Sequence, residues 1–574
     1  MSMTGLSRFE ISPGVAIWIN EPTRAYRIGG GRGVVMGTLF HRYGSPQPIH
    51  ALEDADGGAV LATLGRHLLD RFWGSYVAVL PLADGYRVLR DPSGTLPCHY
   101  AARGKLHVFG SDPDILVDSG FAEPDIDWQG VARSLFLPGL PSERSALDAI
   151  HDVLPGMSLD VQSRTVATQV SWNPWSHAIV DRHTDADANS TDLRRAVQNS
   201  ISSWAHASGS GIAGVSGGLD SSIVAVCLGG AAKLESCLTL VTADPLGDER
   251  HYCRTLTDHL GVPLREAYYS LDDVCLDRSS VSHRSRPFGR LDALAYDAAA
   301  LRATQESGVR TFYTGNGGDN VFFLSHSARG AVDRYLVEGI SFDLLKTARE
   351  ICELTGASFL QLVKQGIRTL RLANRNYVWR AESSFLSAGV VRDQLDIPVE
   401  HPWLTLPAEN GLPGKAAHIA MLMRMQHSIE GYVERNGMAV IHPLVSQPIV
   451  ELCLAIPTWQ QCMSGVDRAV ARRAFGPALP REIIGRRDKG SPQGFAFEIF
   501  RHFRSEIRER LLDGSLVQHN ILDRPTLEKA LAPAVQHDSS AMLRLSLLVD
   551  TEAWISRWRE KRKTVPPLVA AHSA

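Results

Sequence analysis

The sequence has no CxxC pair, no long apolar run and no excess of either charge. Its 574 residues hold eight cysteines, Cys98, Cys227, Cys237, Cys253, Cys275, Cys352, Cys453 and Cys462. None stands at zinc-site spacing, and so few make no disulfide framework. A reduced, cytoplasmic compartment is the expectation. No stretch reaches the ~18 uninterrupted apolar residues of a membrane-crossing helix. Residues 1–20 lack the basic start and apolar core of a secretory signal. No membrane association is expected. Lys and Arg number 59 against 62 Asp and Glu, a net charge of −3. A dedicated nucleic-acid binder carries a basic excess, so no nucleic-acid partner is expected either. GxxxxGK[ST] is also missing, which excludes a Walker A loop.

What is present is ordinary for a globular chain: 44% hydrophobic and 21% charged residues, which excludes a disordered or fibrous protein. The length suggests two to four domains at roughly 150 residues each. Residues 9–170 are rich in short alternating or β-branched runs broken by Gly, Pro and Asp, such as 14–19, 74–82, 86–91 and 106–111. These predict strands joined by tight turns, with one helix over about 50–72. The region 1–170 is therefore read as an α+β domain with antiparallel sheets. Residues 171–193 are polar and poorly periodic and are read as a linker. From 194 to 574 the pattern changes. Strands near 211–215, 236–242, 264–269 and 309–315 alternate with helices near 248–261 and 293–308, which predicts a parallel, doubly wound α/β sheet. Ligands in such sheets sit at the carboxyl ends of the strands. Residues 330–560 read as mostly helical.

The strongest local signal is Ser216-Gly217-Gly218-Leu219-Asp220-Ser221-Ser222, between the strand 211–215 and a helix. Glycines let backbone approach a ligand, hydroxyls donate to phosphate oxygens, and the helix N-terminus offers free N–H groups. Together they predict a phosphate or pyrophosphate cradle. Asp220 would repel phosphate unless a cation bridges the two, and Mg2+ is the natural bridge.

The loop SGGLDSS resembles the pyrophosphate loop of ATP pyrophosphatases, the adenine nucleotide alpha hydrolase-like enzymes that adenylate a substrate. More narrowly, the chain resembles the asparagine synthetase family over roughly residues 10–500. Asp248-Glu249 and the helix to Leu260-Gly261 look like its DE…A..LG segment. Residues 314–322, TGNGGDNVF, match its SGEGADELF motif, and residues 486–490, RRDKG, its mobile lysine loop. The resemblance implies ATP on Val215, Ser216, Gly217, Gly218, Asp220, Ser221, Ser222, Val241, Thr314 and Gly315. It implies Mg2+ on Asp220 and Asp319, and Lys489 against the α-phosphate and leaving pyrophosphate, an electrostatic role of the kind that dominates many active sites.

Residues 74–78, 90–97, 109–111 and 154–156 resemble the family's N-terminal-nucleophile glutaminase half. That half needs an N-terminal cysteine. Position 2 here is Ser2, and the first cysteine is Cys98. N-terminal hydroxyls serve related hydrolases, but the first strand is expected only near Phe9, so Ser2 would overhang. The expectation is a glutaminase-like domain without its nucleophile, and an amine supplied by the substrate itself. Two branches of the family work in that way: the β-lactam and carbapenam synthetases, and the lasso-peptide cyclases. Asn316 stands where the β-lactam branch has a catalytic Tyr. The pattern of GNGGDNVF, then residues 441–445 (IHPLV), then a late DKG looks most like the cyclases.

That resemblance implies adenylation of an Asp or Glu side chain of a ribosomally made core peptide, then attack by the peptide's N-terminal amine to close a macrolactam. A leader peptidase and a leader-binding protein are the implied partners. For the proton acceptor, His427, Glu430 and Glu434 stand at i, i+3 and i+7 and would share one helix face; His427 and Glu430 are the first candidates. His283, His326 and His442 have no metal-like spacing and read as packing or surface residues. A small-molecule ligase of the β-lactam type and a non-catalytic binding module remain as alternatives, with a tRNA-modifying enzyme a weaker one.

Overall fold

A computed structural model describes the whole chain except residues 1–5, 13–14, 21–22, 163–164, 181–184, 243, 245–246, 374, 410, 431–436, 488–489, 491–492, 533–538 and 565–574. The N-terminal region contains β1 (Leu6–Ser12), β2 (Val15–Asn20), β3 (Ala25–Ile28), β4 (Gly33–His41), β5 (Phe72–Leu82), β6 (Gly85–Arg90), β7 (His99–Arg103), β8 (Leu106–Gly110), β9 (His151–Asp152), β10 (Met157–Gln162) and β11 (Thr165–Val170). A six-stranded antiparallel sheet runs β11-β10-β6-β5-β4-β3, and a smaller one runs β8-β7-β9. β5 reads FWGSYVAVLPL and is buried along most of its length, as suits a strand between two neighbours.

Two readings change here. The helix expected over 50–72 is two helices, Asp54–Ala62 and Arg66–Arg71. Leu64 (φ 49°) and Gly65 (φ 94°) break it. A Cβ on Gly65 would meet Leu89 Cδ2 at 2.7 Å, so the glycine lets the turn lie on the sheet. The first strand begins at Leu6, three residues before Phe9, and pairs with β2 in a separate hairpin. Ser2 lies outside the described residues.

The second region holds β12 (Gly211–Gly214), β13 (Leu234–Val241), β14 (Leu264–Tyr268), β15 (Thr311–Tyr313) and β16 (Ala439–Ile441). They form one parallel sheet in the order β14-β13-β12-β15-β16. The chain runs outward from β12 to β13 and β14, then returns to β12's other side. The order therefore reverses between β12 and β15, the place at which ligands of such sheets bind. β16 was not expected, because three residues carry no periodicity. Helices Leu219–Gly230, Arg250–Leu260 and Leu291–Glu306 connect the strands. Among the described residues, no helix is long and apolar enough to cross a membrane.

The two regions share a core. Phe40 and Trp73 of the antiparallel sheet meet Trp204 of helix Ala186–Ser208, with ring centroids 5.1 and 6.1 Å apart. That helix starts inside the segment 171–193. The segment is itself anchored: Trp172 Nε1 donates to Glu451 (2.8 Å) and Trp175 Nε1 to the Trp403 carbonyl (2.9 Å). Arg90, fully buried, donates to the carbonyls of Leu96, Val153 and Gly94 and pairs with Glu430 Oε1 at 2.8 Å. Removing it leaves a carboxylate and three carbonyls short of a donor. Arg90→Ala is expected to cost about 3–5 kcal/mol of stability, measured by urea denaturation; a loss under about 1 kcal/mol would mean the junction does not depend on it.

Candidate functional site

β12 ends at Gly214, and residues 215–218 form a tight loop before the helix that starts at Leu219. Val215, buried, donates to the Leu238 carbonyl and holds the loop over β13. Val241 closes β13, and its carbonyl accepts from Tyr269 N. Gly217 has φ +60°, and a Cβ there would meet Tyr252 Cβ at 2.2 Å. Gly218 caps the helix without a side-chain hydrogen bond, so the first-turn amides keep no side-chain cap. Ser216 and Ser221 hydroxyls stand 3.4 Å apart, and the buried Ser222 Oγ has no partner among the described residues. Three hydroxyls and a helix N-terminus thus sit together, as a phosphate cradle requires.

The second motif lies directly on the first. A Cβ on Gly315 would meet Ser221 N at 2.6 Å, and one on Gly318 would meet Asp220 Cγ at 2.4 Å. Thr314 N donates to the Ile441 carbonyl, and Thr314 Oγ1 shares a 2.6 Å hydrogen bond with His442 Nδ1. Burial, with Arg284 nearby, pushes the His442 imidazole down to about 3. The bond to Thr314 sets the segment 441–445 beside residues 314–322.

Asp220 and Asp319 converge on one atom, Arg468 Nη1. It lies 3.1 and 3.0 Å from the two Asp220 oxygens and also bonds Asp319 Oδ1. Arg468 Nε pairs with Asp467 at 2.8 Å. Burial alone would lower this guanidinium, but the three carboxylates outweigh it and hold Arg468 above its usual value. The residue sits in the left-handed region (φ 47°, ψ 39°) at the start of helix Ala469–Phe475, a conformation that costs roughly 1–3 kcal/mol outside glycine. Nothing in the sequence pattern marked Arg468, which lies 248 and 149 residues from its two partners.

Arg486 ties the lysine loop to the cradle. It donates to the Ser216 carbonyl (2.7 Å) and Glu249 (2.6 Å), and its guanidinium lies 4.1 Å from the Tyr252 ring centre. Gly490 N donates to the same Glu249 (3.0 Å). Lys489 lies outside the described residues. The predicted stripe of bases changes too. Helix Pro413–Ile429 carries His427, whose side chain lies outside the described residues, as does Glu434. The helix stops before Glu430, which turns extended (ψ 132°) and meets Arg90 and, at 3.9 Å, Arg286. His427 and Glu430 therefore do not continue one helical face.

Comparison with known proteins fits this geometry. The model of the asparagine synthase family matches residues 192–556, more than half of the chain. The chain belongs to that family. As an asparagine synthetase-like protein it is an ATP-dependent carbon–nitrogen ligase. A search of curated proteins found no match. A solved structure of glutamine phosphoribosylpyrophosphate amidotransferase from B. subtilis, complexed with ADP and GMP, matches at 11% identity over 60% of this chain and 75% of that one. Its TM-score of 0.17 carries no argument about the fold.

The asparagine synthase family uses ATP, generally with Mg2+, and the residues here fit that metal. Two carboxylates aim at one point already filled by a cationic nitrogen, and Mg2+ takes one or two carboxylates plus phosphate oxygens. Asp220 and Asp319 would hold it once Arg468 withdraws. Arg468→Ala is expected to tighten Mg2+ binding to the nucleotide-free protein about 5–150-fold, the usual span of such coupling. Isothermal calorimetry reads this, and an unchanged affinity would show that Arg468 does not compete. Gly315→Ala pushes a methyl into backbone, so MgATP should bind at least about tenfold more weakly by the same method, while the far-UV dichroism is retained.

Proposed function

We propose that the chain is a macrolactam synthetase of the lasso-peptide cyclase type. The observation that carries the reading is the cradle at 215–222 with its two carboxylates, joined to an N-terminal region that supplies no thiolate. Cys98 is that region's one cysteine; it is buried, and burial pushes its thiol up to about 12. We read the amine as one carried by the substrate. Asn316, where the β-lactam branch has a tyrosine, favours a peptide over a small β-amino acid.

ATP lies with its phosphates on Ser216, Ser221, Ser222 and the amides of the helix at Leu219. Thr314 and Gly315 border the nucleoside, and Val215 and Val241 flank it at the strand ends. Asp220 and Asp319 would hold Mg2+, which would supply positive charge against the phosphates. A side-chain carboxylate of the core peptide attacks the α-phosphorus. Pyrophosphate leaves, with Lys489 offsetting its charge. The N-terminal amine of the same peptide attacks the acyl carbon, AMP departs, and the amide closes the ring. Holding the two ends together is the larger part of the task. The amine's proton passes to His427 or Glu430; Glu430 is already committed to Arg90, so His427 is tested first. A precursor peptide, a leader peptidase and a leader-binding protein are the proposed partners, and the cytoplasm the proposed compartment.

The purified protein should release AMP and pyrophosphate only with a leader-free core peptide bearing an internal Asp or Glu. ADP release, turnover on glutamine with aspartate, or cyclisation of an N-(carboxyethyl) amino acid would overturn the reading. His427→Ala should slow ring closure about 10²–10⁴-fold yet leave peptide-dependent pyrophosphate exchange intact. Equal loss of both would remove His427 from the proton-transfer step.

A further inference from the structure

Helices Arg329–Glu338, Phe342–Thr355 and Phe359–Arg371 pack on one another, the first two also against residues Thr458–Gly465. Their outer side is apolar. Ile340 and Phe342 around the start of the second helix are 88% and 85% exposed; on the third, Leu360 (78% exposed), Val363, Ile367 and Leu370 form an exposed row. On Phe359–Arg371 these residues recur every three or four positions and so share one face. Leu362 is that helix's one buried residue. The helix is not frayed: Ser358 and Gln361 form a reciprocal capping box at its start. A contiguous exposed apolar row on a well-formed helix marks an interaction site, whereas scattered apolar residues do not.

The charges select the partner. Between residues 354 and 381 the chain carries Lys364, Arg368, Arg371, Arg375 and Arg380 and no acidic residue. Lys364, Arg368 and Arg371 line the edge of the apolar row next to Leu360. On the neighbouring helix the acidic groups are already engaged: Asp343 with Arg334 (3.3 Å), Glu353 with Arg349 (2.7 Å), while the buried Glu350 accepts from Ser464 N (3.0 Å). The surface is thus apolar with a cationic row on one side and a balanced side opposite. A second copy docking with the two helices antiparallel about a two-fold axis would set that cationic row against itself. The stripe's other flank, at Leu362, Gly366 and Thr369, turns toward the protein, so cations border the stripe on one side alone. We propose that this face docks an amphipathic, acidic segment of a partner polypeptide, its apolar side on Leu360, Val363 and Ile367 and its carboxylates on Lys364, Arg368 and Arg371. The docking face is separate from the nucleotide cradle and goes beyond the proposed reaction.

The test uses the full chain and a fluorescent peptide about 18 residues long, with Leu on one helical face and Glu on the other. A Leu/Lys peptide of the same pattern and phosphatidylglycerol vesicles run in parallel. The Leu/Glu peptide should bind saturably and more weakly as salt rises. Leu360→Ser with Ile367→Ser, and separately Arg368→Glu with Arg371→Glu, should each weaken it at least about tenfold. The second pair should instead gain affinity for the Leu/Lys peptide. All four side chains are exposed, so unchanged melting confirms intact fold, and peptide-dependent AMP release should persist in both variants. No saturable binding of the Leu/Glu peptide, equal binding of the two peptides, preference for vesicles, or self-association of the wild type lost in the variants would each overturn the proposal.

Discussion

Two carboxylates meeting at one cation set the terms for the rest of the site. Asp220 and Asp319 come from different strand ends and touch the same nitrogen of Arg468. Like charges that close repel unless a cation stands between them; a unit charge pair at 4 Å is worth about 4 kcal/mol at an effective dielectric of 20. Only a fold that brings the ends of β12 and β15 side by side can create the meeting point, and the reversal of strand order does so. Gly315 and Gly318 make the approach possible, because any side chain there would run into Ser221 or Asp220. The cradle, the carboxylate pair and the positioning of Thr314 all follow from that close approach.

What the sequence made legible was local. SGGLDSS declares itself because glycine, serine and a helix start fall within seven residues. The alternation of short apolar strands with helices was enough for the parallel sheet. What escaped was contact between distant residues. Arg468 has no pattern of its own, and its partners lie far up the chain. β16 is three residues long and takes its strand character from pairing with β15. The helix that carries His427 ends early because Glu430 is drawn off to Arg90, a choice that tertiary pairing makes against helical periodicity. In the N-terminal region, Gly65 divides a helix because the sheet beneath it leaves no room for a Cβ.

The segment 90–97 has become a structural joint. Asp91 accepts from the backbone amides of Tyr76, Ser93 and Gly94; burial pushes its carboxyl up to about 6 against those bonds. Arg90 next to it spends its donors on three carbonyls and on Glu430. Gln426, one turn before Glu430, donates to the Pro92 carbonyl (2.8 Å). Asp152 carries the same link further, accepting from Ser285 and pairing with Arg286 and His99. Buried ion pairs of this kind add little net stability over apolar packing, yet they are costly to break singly. They fix the position of one surface on another, here the N-terminal sheets on the end of helix Pro413–Ile429.

Arg468 then links metal, nucleotide and backbone strain. With the guanidinium in place the carboxylates are neutralised, and a metal ion there would have to displace a tethered cation. On the proposed reading a nucleotide would bring its own phosphate oxygens to the loop at 215–222 and would give a displaced guanidinium an anionic alternative to Asp220 and Asp319, whereas free metal would offer neither. Asp467 tethers Arg468 through its Nε, and Arg472 holds Asp467 in turn at 3.0 Å. The strained backbone at Arg468 follows from the same demand, because a guanidinium that must reach two carboxylates from the start of a helix cannot also begin that helix in a relaxed conformation.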